Sequence, residues 1–219
     1  MGPDEKRLRT MARLAGRGRI LDVGFMNWPN RHLRGDVIGV DLHARDTIPP
    51  YGHLVRGDAH AFPFADEQFT AVVAGELIEH LIQPLTFLCE CNRILRTGGR
   101  LVLSTPNPHT PVEAIKNLLF FQPDPEANTH IAAFPFQLMT KLALINGFRL
   151  FHITGDYIRI PKLGLKIGSS WFPSFCVHQI FAFEKTRRVS PGDLERTLQR
   201  IRDQERQRSS GRKGPAGGE

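Results

Sequence analysis

The sequence predicts a three-layer α/β sandwich, and three observations carry that prediction. Apolar, β-branched-rich runs alternate with helical patterns through five units. The first two runs, Ile20–Gly24 and Val37–Asp41, each end on an acid or a glycine across a short turn-rich crossover. That is the form of a parallel unit, whose ligands lie beyond the carboxyl ends of its strands. Finally, the last units read as a helix followed by a hairpin-like pair of strands, which closes such a sheet.

The elements follow in order. Residues 4–15 place Leu8, Met11, Ala12 and Ala15 on one helical face, expected to pack against the sheet edge. Strand one is predicted over 19–23 and strand two over 37–41. Pro29 and Gly35 leave room for about two helical turns at most between them. His53–Arg56 forms a weak third strand that leads into Gly57-Asp58-Ala59. From Phe62 to Phe69 aromatics alternate with turn residues, the pattern of a packed loop. Thr70–Ala74 is apolar enough for the sheet centre, Gly75-Glu76 ends it, and Leu77–Leu81 begins a helical turn.

Pro84 suits the first position of a helix running to Leu95, which Gly98-Gly99 would cap. Leu101–Leu103 is a fifth strand, stopped by Thr105-Pro106-Asn107-Pro108. A short helix over Val112–Phe121 is expected inside a longer excursion, and long insertions of that kind are usually lids. Phe136–Asn146 should be helical with Gly147 at C′, Phe148–Thr154 a sixth strand, and Phe175–Phe183 a seventh. Asp193–Arg208 reads as helix, and the last eleven residues have the composition of disorder. The predicted organisation is one domain over 1–186, with lid insertions near 108–134 and 155–173, and a basic tail over 187–219.

A chain of 219 residues can bury one sizeable core. Its net charge of +7 is concentrated at the ends: +4 over 1–19 and +5 over 185–219, leaving −2 between. Basic ends can meet an anionic membrane or nucleic acid, and solvated termini are the plainer reading. Cys89, Cys91 and Cys176 fit neither a disulfide framework nor a metal-ligand spacing, so a reducing, cytoplasmic setting is expected and no metal is assigned. No signal-peptide pattern and no long apolar window stands out.

Several ordered segments then match a family: ILDVG at 20–24, GVDLH at 39–43, GDAHAFPFADEQFTAVVAGELIEHL at 57–81, ECNRILRTGGRLVLSTPN at 90–107 and LINGFRL at 144–150. In these the chain resembles the class I S-adenosylmethionine-dependent methyltransferases, in particular the small ubiquinone/menaquinone-biosynthesis (methyltransferase type 11) family. The resemblance implies a Rossmann-like sheet of seven mostly parallel strands in the order 3-2-1-4-5-7-6, the last antiparallel. It implies S-adenosyl-L-methionine as cofactor. Where the family places two or three glycines after the first acid, this chain reads Gly24-Phe25-Met26-Asn27.

The cofactor carries a sulfonium, a ribose, an adenine and a zwitterionic tail. On the resemblance Asp22 would hold the tail ammonium and Gly24 would let the backbone approach. Asp41, followed by Leu42, would accept from the ribose diol. Asp58 and the Ala59 amide would meet the adenine, with Phe62 and Phe64 either covering it or packing in the core. Glu76, at the end of the fourth strand, could favour the sulfonium or contact the acceptor, or simply suit a helix N-terminus. His80 could orient or deprotonate the acceptor, and His130 is a lesser candidate. Leu118-Leu119-Phe120-Phe121 and Trp171-Phe172 suggest an apolar or lipid-linked small-molecule acceptor, with peripheral membrane contact through the basic tail. Two other readings stand beside this one. An RNA methyltransferase would use the basic ends, but the sequence has no aromatic-basic stacking platform, so nucleic acid is not the expected partner. A non-catalytic binding protein would have kept the fold and lost the cofactor loop.

Overall fold

The runs at 20–23 and 37–40 become the paired centre of a seven-stranded sheet in the computed structural model, which describes residues 3–26, 28–43, 52–110, 130–160, 165–168 and 172–211. In chain order the strands are β1 (Arg17–Val23), β2 (Arg34–Asp41), β3 (His53–Arg56), β4 (Phe69–Gly75), β5 (Leu95–Pro106), β6 (Phe148–Gly155), β7 (Tyr157–Ile160), β8 (Leu165–Gly168) and β9 (His178–Lys185). The helices are α1 (Pro3–Ala15), α2 (Pro84–Ile94), α3 (Phe136–Ile145) and α4 (Pro191–Gly211). The sheet order is β3-β2-β1-β4-β5-β9-β6, with β7 and β8 forming a separate two-stranded ribbon. Five strands run parallel, and β9 lies antiparallel between β5 and β6. The expected order and the antiparallel final strand are both present. So is a hairpin within 155–173.

Side chains alternate between the two faces, as extended chains require. Leu21, Val23, Ile38, Val40, Val72, Leu101, Leu103, Phe181 and Phe183 face Phe87, Leu88, Cys91 and Ile94 of α2 and Met139 and Ala143 of α3. Ile20, Val37, Ala71, Val73, Val102 and Ile180 face Met11, Ala12 and Ala15 of α1. The apolar stripe read on residues 4–15 is therefore correct, but its placement is not. α1 lies across the face of the sheet, over β4, β5 and β9, rather than at its edge. The reason is the crossover after β1. Its described residues form turns and no helix, so the face is open and α1 covers it. Phe25 fills part of the same space, packed so closely that a Cβ on Gly39 would lie 2.8 Å from its ring.

A second correction concerns Gly98-Gly99. α2 ends at Leu95, whose extended backbone starts β5 at once, so there is no glycine cap. The pair sits instead at the register shift between β4 and β5, with Gly98 at φ +75°. Gly147, by contrast, is the C′ residue of α3 at φ +79°, its amide donating to Leu144 O. The three cysteines are free and buried. After β9 the chain first docks: Asn92 donates to Asn146 O and Arg187 O and accepts from Val189 N. α4 then starts on a reciprocal cap in which Ser190 Oγ accepts from Asp193 N and Asp193 Oδ2 accepts from Ser190 N. No helix among the described residues is long and apolar enough to cross a membrane. The expected helix over Val112–Phe121, its Leu118–Phe121 cluster, Asn27, Trp171 and residues 212–219 lie outside the described residues, while residues 209–211, expected to be disordered, end α4.

Candidate active site

The parallel register brings the carboxyl ends of β1, β2, β3 and β4 to one edge, and the expected acids stand there in order. Asp22 pairs in register with Gly39 one residue before the end of β1, Asp41 closes β2 beside Arg56, and Asp58 follows β3. Asp22 is buried, and its Oδ2 accepts from Asn30 N at 3.2 Å. Asn30 also donates to Leu8 O and accepts from His32 N, so one buried amide folds the crossover and ties it to α1. Gly24 has φ +72° and donates to Val40 O at 2.9 Å. A Cβ there would lie 3.0 Å from Leu77 Cδ1, so the backbone stays close to β4 only as glycine. Asp41 accepts from His43 N at 2.9 Å and from Met26 N at 3.3 Å, and Leu42 beside it is exposed. Asp58 accepts from His60 N and contacts His60 Nδ1, both at 2.8 Å. The backbone bond first, then the ring bond, holds its carboxyl below the ordinary range.

Arg93 of α2 fixes the loop that presents Asp58 and Ala59. It donates to Phe62 O, Phe64 O, Asp66 and Glu90, while Glu90 accepts from Phe62 N. Phe62 and Phe64 are committed to the core. Phe62 meets Phe87 at 6.3 Å between ring centres, and Phe64 meets Phe69 edge-on at 5.0 Å. At the Asp22 end the crevice narrows to a cavity of about 10 Å³, walled by Arg7, Leu8, Met11, Phe25, Trp28 and Asn30. The exposed Leu42 and Asp58, with half-buried Asp41 and Ala59, offer an accessible row of groups that suits the ribose and adenine of a nucleoside. At the amino-acid end these walls leave little free space.

Next to this edge lies a second cluster of ionisable groups. Glu76, at φ +52° just past β4, has Oε1 2.8 Å from Arg7 Nη1 and accepts from Ser104 Oγ at 2.8 Å. Its Oε2 is 3.4 Å from His178 Nε2, and His178 Nδ1 is 2.5 Å from Asp156 Oδ2. Burial pulls the His178 pKa down, but the Asp156 hydrogen bond and the Glu76 and Asp156 charges outweigh it and leave it raised. Glu79 and His80 follow in a 3-10 turn, Ile78–His80. Neither Glu79 carboxyl oxygen has a hydrogen-bond partner among the described residues. The His80 and His130 rings are 4.8 Å apart. Donor atoms of Glu79, His80 and His130 lie within 4.8 Å of one another, a set that could hold a divalent cation.

Glu76 and His80 are thus where the sequence put them, but Glu76 is held in ion pairs rather than left facing open solvent. Sequence reasoning missed Arg7, Glu79, Asp156 and His178. None sits in a local motif, and only the antiparallel insertion of β9 brings His178 to Glu76.

Burial, and then the Glu76 charge, push the Glu79 carboxyl up to about 7. Between about pH 4.5 and 7 the unfolded chain has lost this proton and the folded chain keeps it, so burial costs progressively more as pH rises. Glu79→Gln should therefore stabilise the fold by about 1–3 kcal/mol in mildly alkaline buffer, and by little in acid, in unfolding titrations with chelator. A benefit independent of pH would refute this account.

Together the order of the sheet and its acid-tipped edge define a class I S-adenosylmethionine-dependent methyltransferase fold. Residues 21–103 match the family described as Methyltransferase domain. A ubiquinone biosynthesis O-methyltransferase of Cereibacter sphaeroides is 31% identical over 102 residues, 41% of each chain. A demethylmenaquinone methyltransferase of Staphylococcus saprophyticus is 39% identical over 87 residues, 36% of this chain and 37% of its own. The chain thus spans about two fifths of the length of these curated relatives. Among solved structures, a methyltransferase of Thermotoga maritima described as a possible histamine N-methyltransferase superposes with a TM-score of 0.67. It is 17% identical, over 83% of this chain and 88% of that one. A methyltransferase of Archaeoglobus fulgidus gives 0.58 at 19% identity, over 83% and 92%. At these identities the structural likeness is one of fold.

Proposed function

We propose that the chain is an S-adenosylmethionine-dependent methyltransferase acting on a hydroxyl oxygen of a small, largely apolar acceptor. The observation that carries this reading is the row of Asp22, Asp41 and Asp58 at successive strand ends of one edge. When bound, the cofactor supplies an activated methyl group. The residues that would hold it are Asp41 at the ribose, Asp58 and the Ala59 amide at the adenine, and Asp22 and Gly24 at the amino-acid end. The chain's own task is then orientation and exclusion of water, which contribute roughly 7–11 kcal/mol to such reactions. A hydroxyl acceptor also needs its proton removed, and the candidates to take it are the cluster of Glu79, His80 and His130 and the neighbouring Glu76–His178 pair. The printed names of the two curated relatives support oxygen and quinone-type acceptors.

A cavity of about 420 Å³ at the ends of β5, β6 and β9, lined by Phe136, Ile153, Pro173, His109 and Gln179, suits the acceptor. Gln179 is buried there, and its Oε1 has no partner among the described residues. Exposed Ile131, Phe172 and Phe175 lie on neighbouring segments and favour an apolar, lipid-linked molecule.

Calorimetry with S-adenosylmethionine and its demethylated product tests the reading. Micromolar binding is expected, and Asp41→Ala should weaken it by about 1–3 kcal/mol through loss of a charge-assisted contact. Undiminished binding in that variant would remove Asp41 from the ribose. The second reading, a non-catalytic binding protein, rests on the narrow cavity at Asp22. Silence at millimolar cofactor would favour it.

A further inference from the structure

Of the six basic residues among the first nineteen, Arg19 pairs with Asp36 and the other five divide into two groups in the folded chain. Lys6 and Arg7 turn inward, to Asp156 O and Glu76. Arg9, Arg13 and Arg17 turn away from the acid-tipped edge and meet Arg34 and His32 around a concavity of about 380 Å³. No acidic residue lines it. Arg9 and His32 share Glu5. Arg13 and Arg17 have no ion pair among the described residues, and Arg34 spends Nη1 only on the carbonyls of Arg31 and Leu33. Arg100 reaches the same helix end, its Nη1 bonding Leu14 O and lying 3.4 Å from a Cβ placed on Gly16.

Like charges gathered in a hollow repel one another, and concave walls focus the field. Glu5 offsets that cost at Arg9 and His32, but no acid pairs with Arg13, Arg17 or Arg34 among the described residues, so a partner from outside is the natural complement there. Guanidinium forks match phosphate oxygens two at a time. Beside the hollow Gly18 and Gly35 pair in register where β1 and β2 close on each other, which sets Arg17 opposite Arg34. The length of β1 places the Arg17 and Arg34 end of the cup roughly 20 Å from the carboxyl edge, while at its other end His32 adjoins Asn30, which bonds Asp22. The exposed apolar residues Trp28, Leu42, Ile82, Phe172 and Phe175 belong to segments at the carboxyl edge, which argues against a membrane face at the cup.

We propose that the hollow formed by Arg9, Arg13, Arg17 and Arg34 is a binding site for a compact phosphate-bearing anion of diphosphate size. The proposal is independent of the methyltransferase reading.

The probe is pyrophosphate, titrated calorimetrically into the full chain at low ionic strength, with sodium chloride of equal ionic strength as control. Saturable one-to-one binding is expected. Arg13→Ala/Arg17→Ala should weaken it at least tenfold while leaving S-adenosylmethionine binding and the circular dichroism spectrum unchanged. Arg17→Lys keeps the charge and loses the fork, so it should weaken pyrophosphate binding severalfold. A response reproduced by chloride, or one equal in the double variant, would overturn the proposal. So would binding of a single-stranded oligonucleotide that pyrophosphate cannot displace. Absence of cofactor binding alongside intact pyrophosphate binding would sink the enzyme and leave this site standing.

Discussion

Replacing Arg7 by alanine is expected to cost about 3 kcal/mol of stability, at the lower end of what breaking a buried ion pair costs. The guanidinium is almost fully buried where α1 crosses the carboxyl edge, 2.8 Å from Glu76 Oε1 and 3.6 Å from Asp4 Oδ1. The contact to Glu76 is an ion pair without hydrogen-bond alignment. Without it the Glu76 carboxylate keeps the Ser104 Oγ hydrogen bond and the His178 ring. Glu76 is 19% exposed, and that residual solvation puts the loss below the top of the range. The pH dependence is defined by His178. Its raised pKa means that its contribution is present in acid and lost as pH rises through the folded value. Protonated His178 can partly stand in for the missing guanidinium, so Arg7→Ala should be costlier in mildly alkaline than in mildly acidic buffer. The double change Arg7→Met/Glu76→Gln should recover most of the stability, because it removes the stranded charge and keeps the packing. Denaturant unfolding reads all three variants. If the double variant were no more stable than the single, Arg7 would be holding α1 by packing and not by charge.

That network also shows what could be read in the chain beforehand. Asp22, Asp41 and Asp58 were legible because a parallel strand delivers its last residues to one edge, whatever the strand's neighbours. Pro84 and Gly147 were legible because each needs a backbone that few other positions provide. Gly98-Gly99 misled because glycine serves a register shift as readily as a helix end, and only the pairing of Phe69 with Leu95 separates the two. Arg7, Asp156 and His178 were illegible for a different reason. They meet through α1 lying on the sheet face and β9 entering antiparallel, and a shift of one residue in either register would turn His178 to the opposite face. Nothing local encodes such meetings. His130 likewise reaches His80 only because Ile131 and Ala132 donate their amides to Glu79 O.

Gly35→Ala should be as damaging as the loss of Arg7, at the far end of the same sheet. Gly35 sits at φ +124°, a region that L side chains rarely enter. A Cβ there would lie 2.2 Å from Gly18 O and 2.9 Å from Gly18 N. Both are backbone atoms, so no rotamer change relieves the clash. Strain and overpacking each cost about 1–3 kcal/mol, which puts the total at about 3–5 kcal/mol. Gly18→Ala is the internal comparison. It also has positive φ, but its Cβ meets a side chain rather than backbone, with Thr70 Oγ1 at 2.5 Å and Cγ2 at 2.9 Å. That variant should lose about half as much. Hydrogen exchange supplies the local readout: amides of Arg17 and Arg19 should lose protection in Gly35→Ala, while those at Val23 and Val40 keep theirs. Because Arg17 and Arg34 flank the glycine pair, the same variant should lose pyrophosphate binding and retain the cofactor edge. Equal losses in the two glycine variants would mean that β1 and β2 part easily at this end, and the pairing that sets Arg17 opposite Arg34 would go with them.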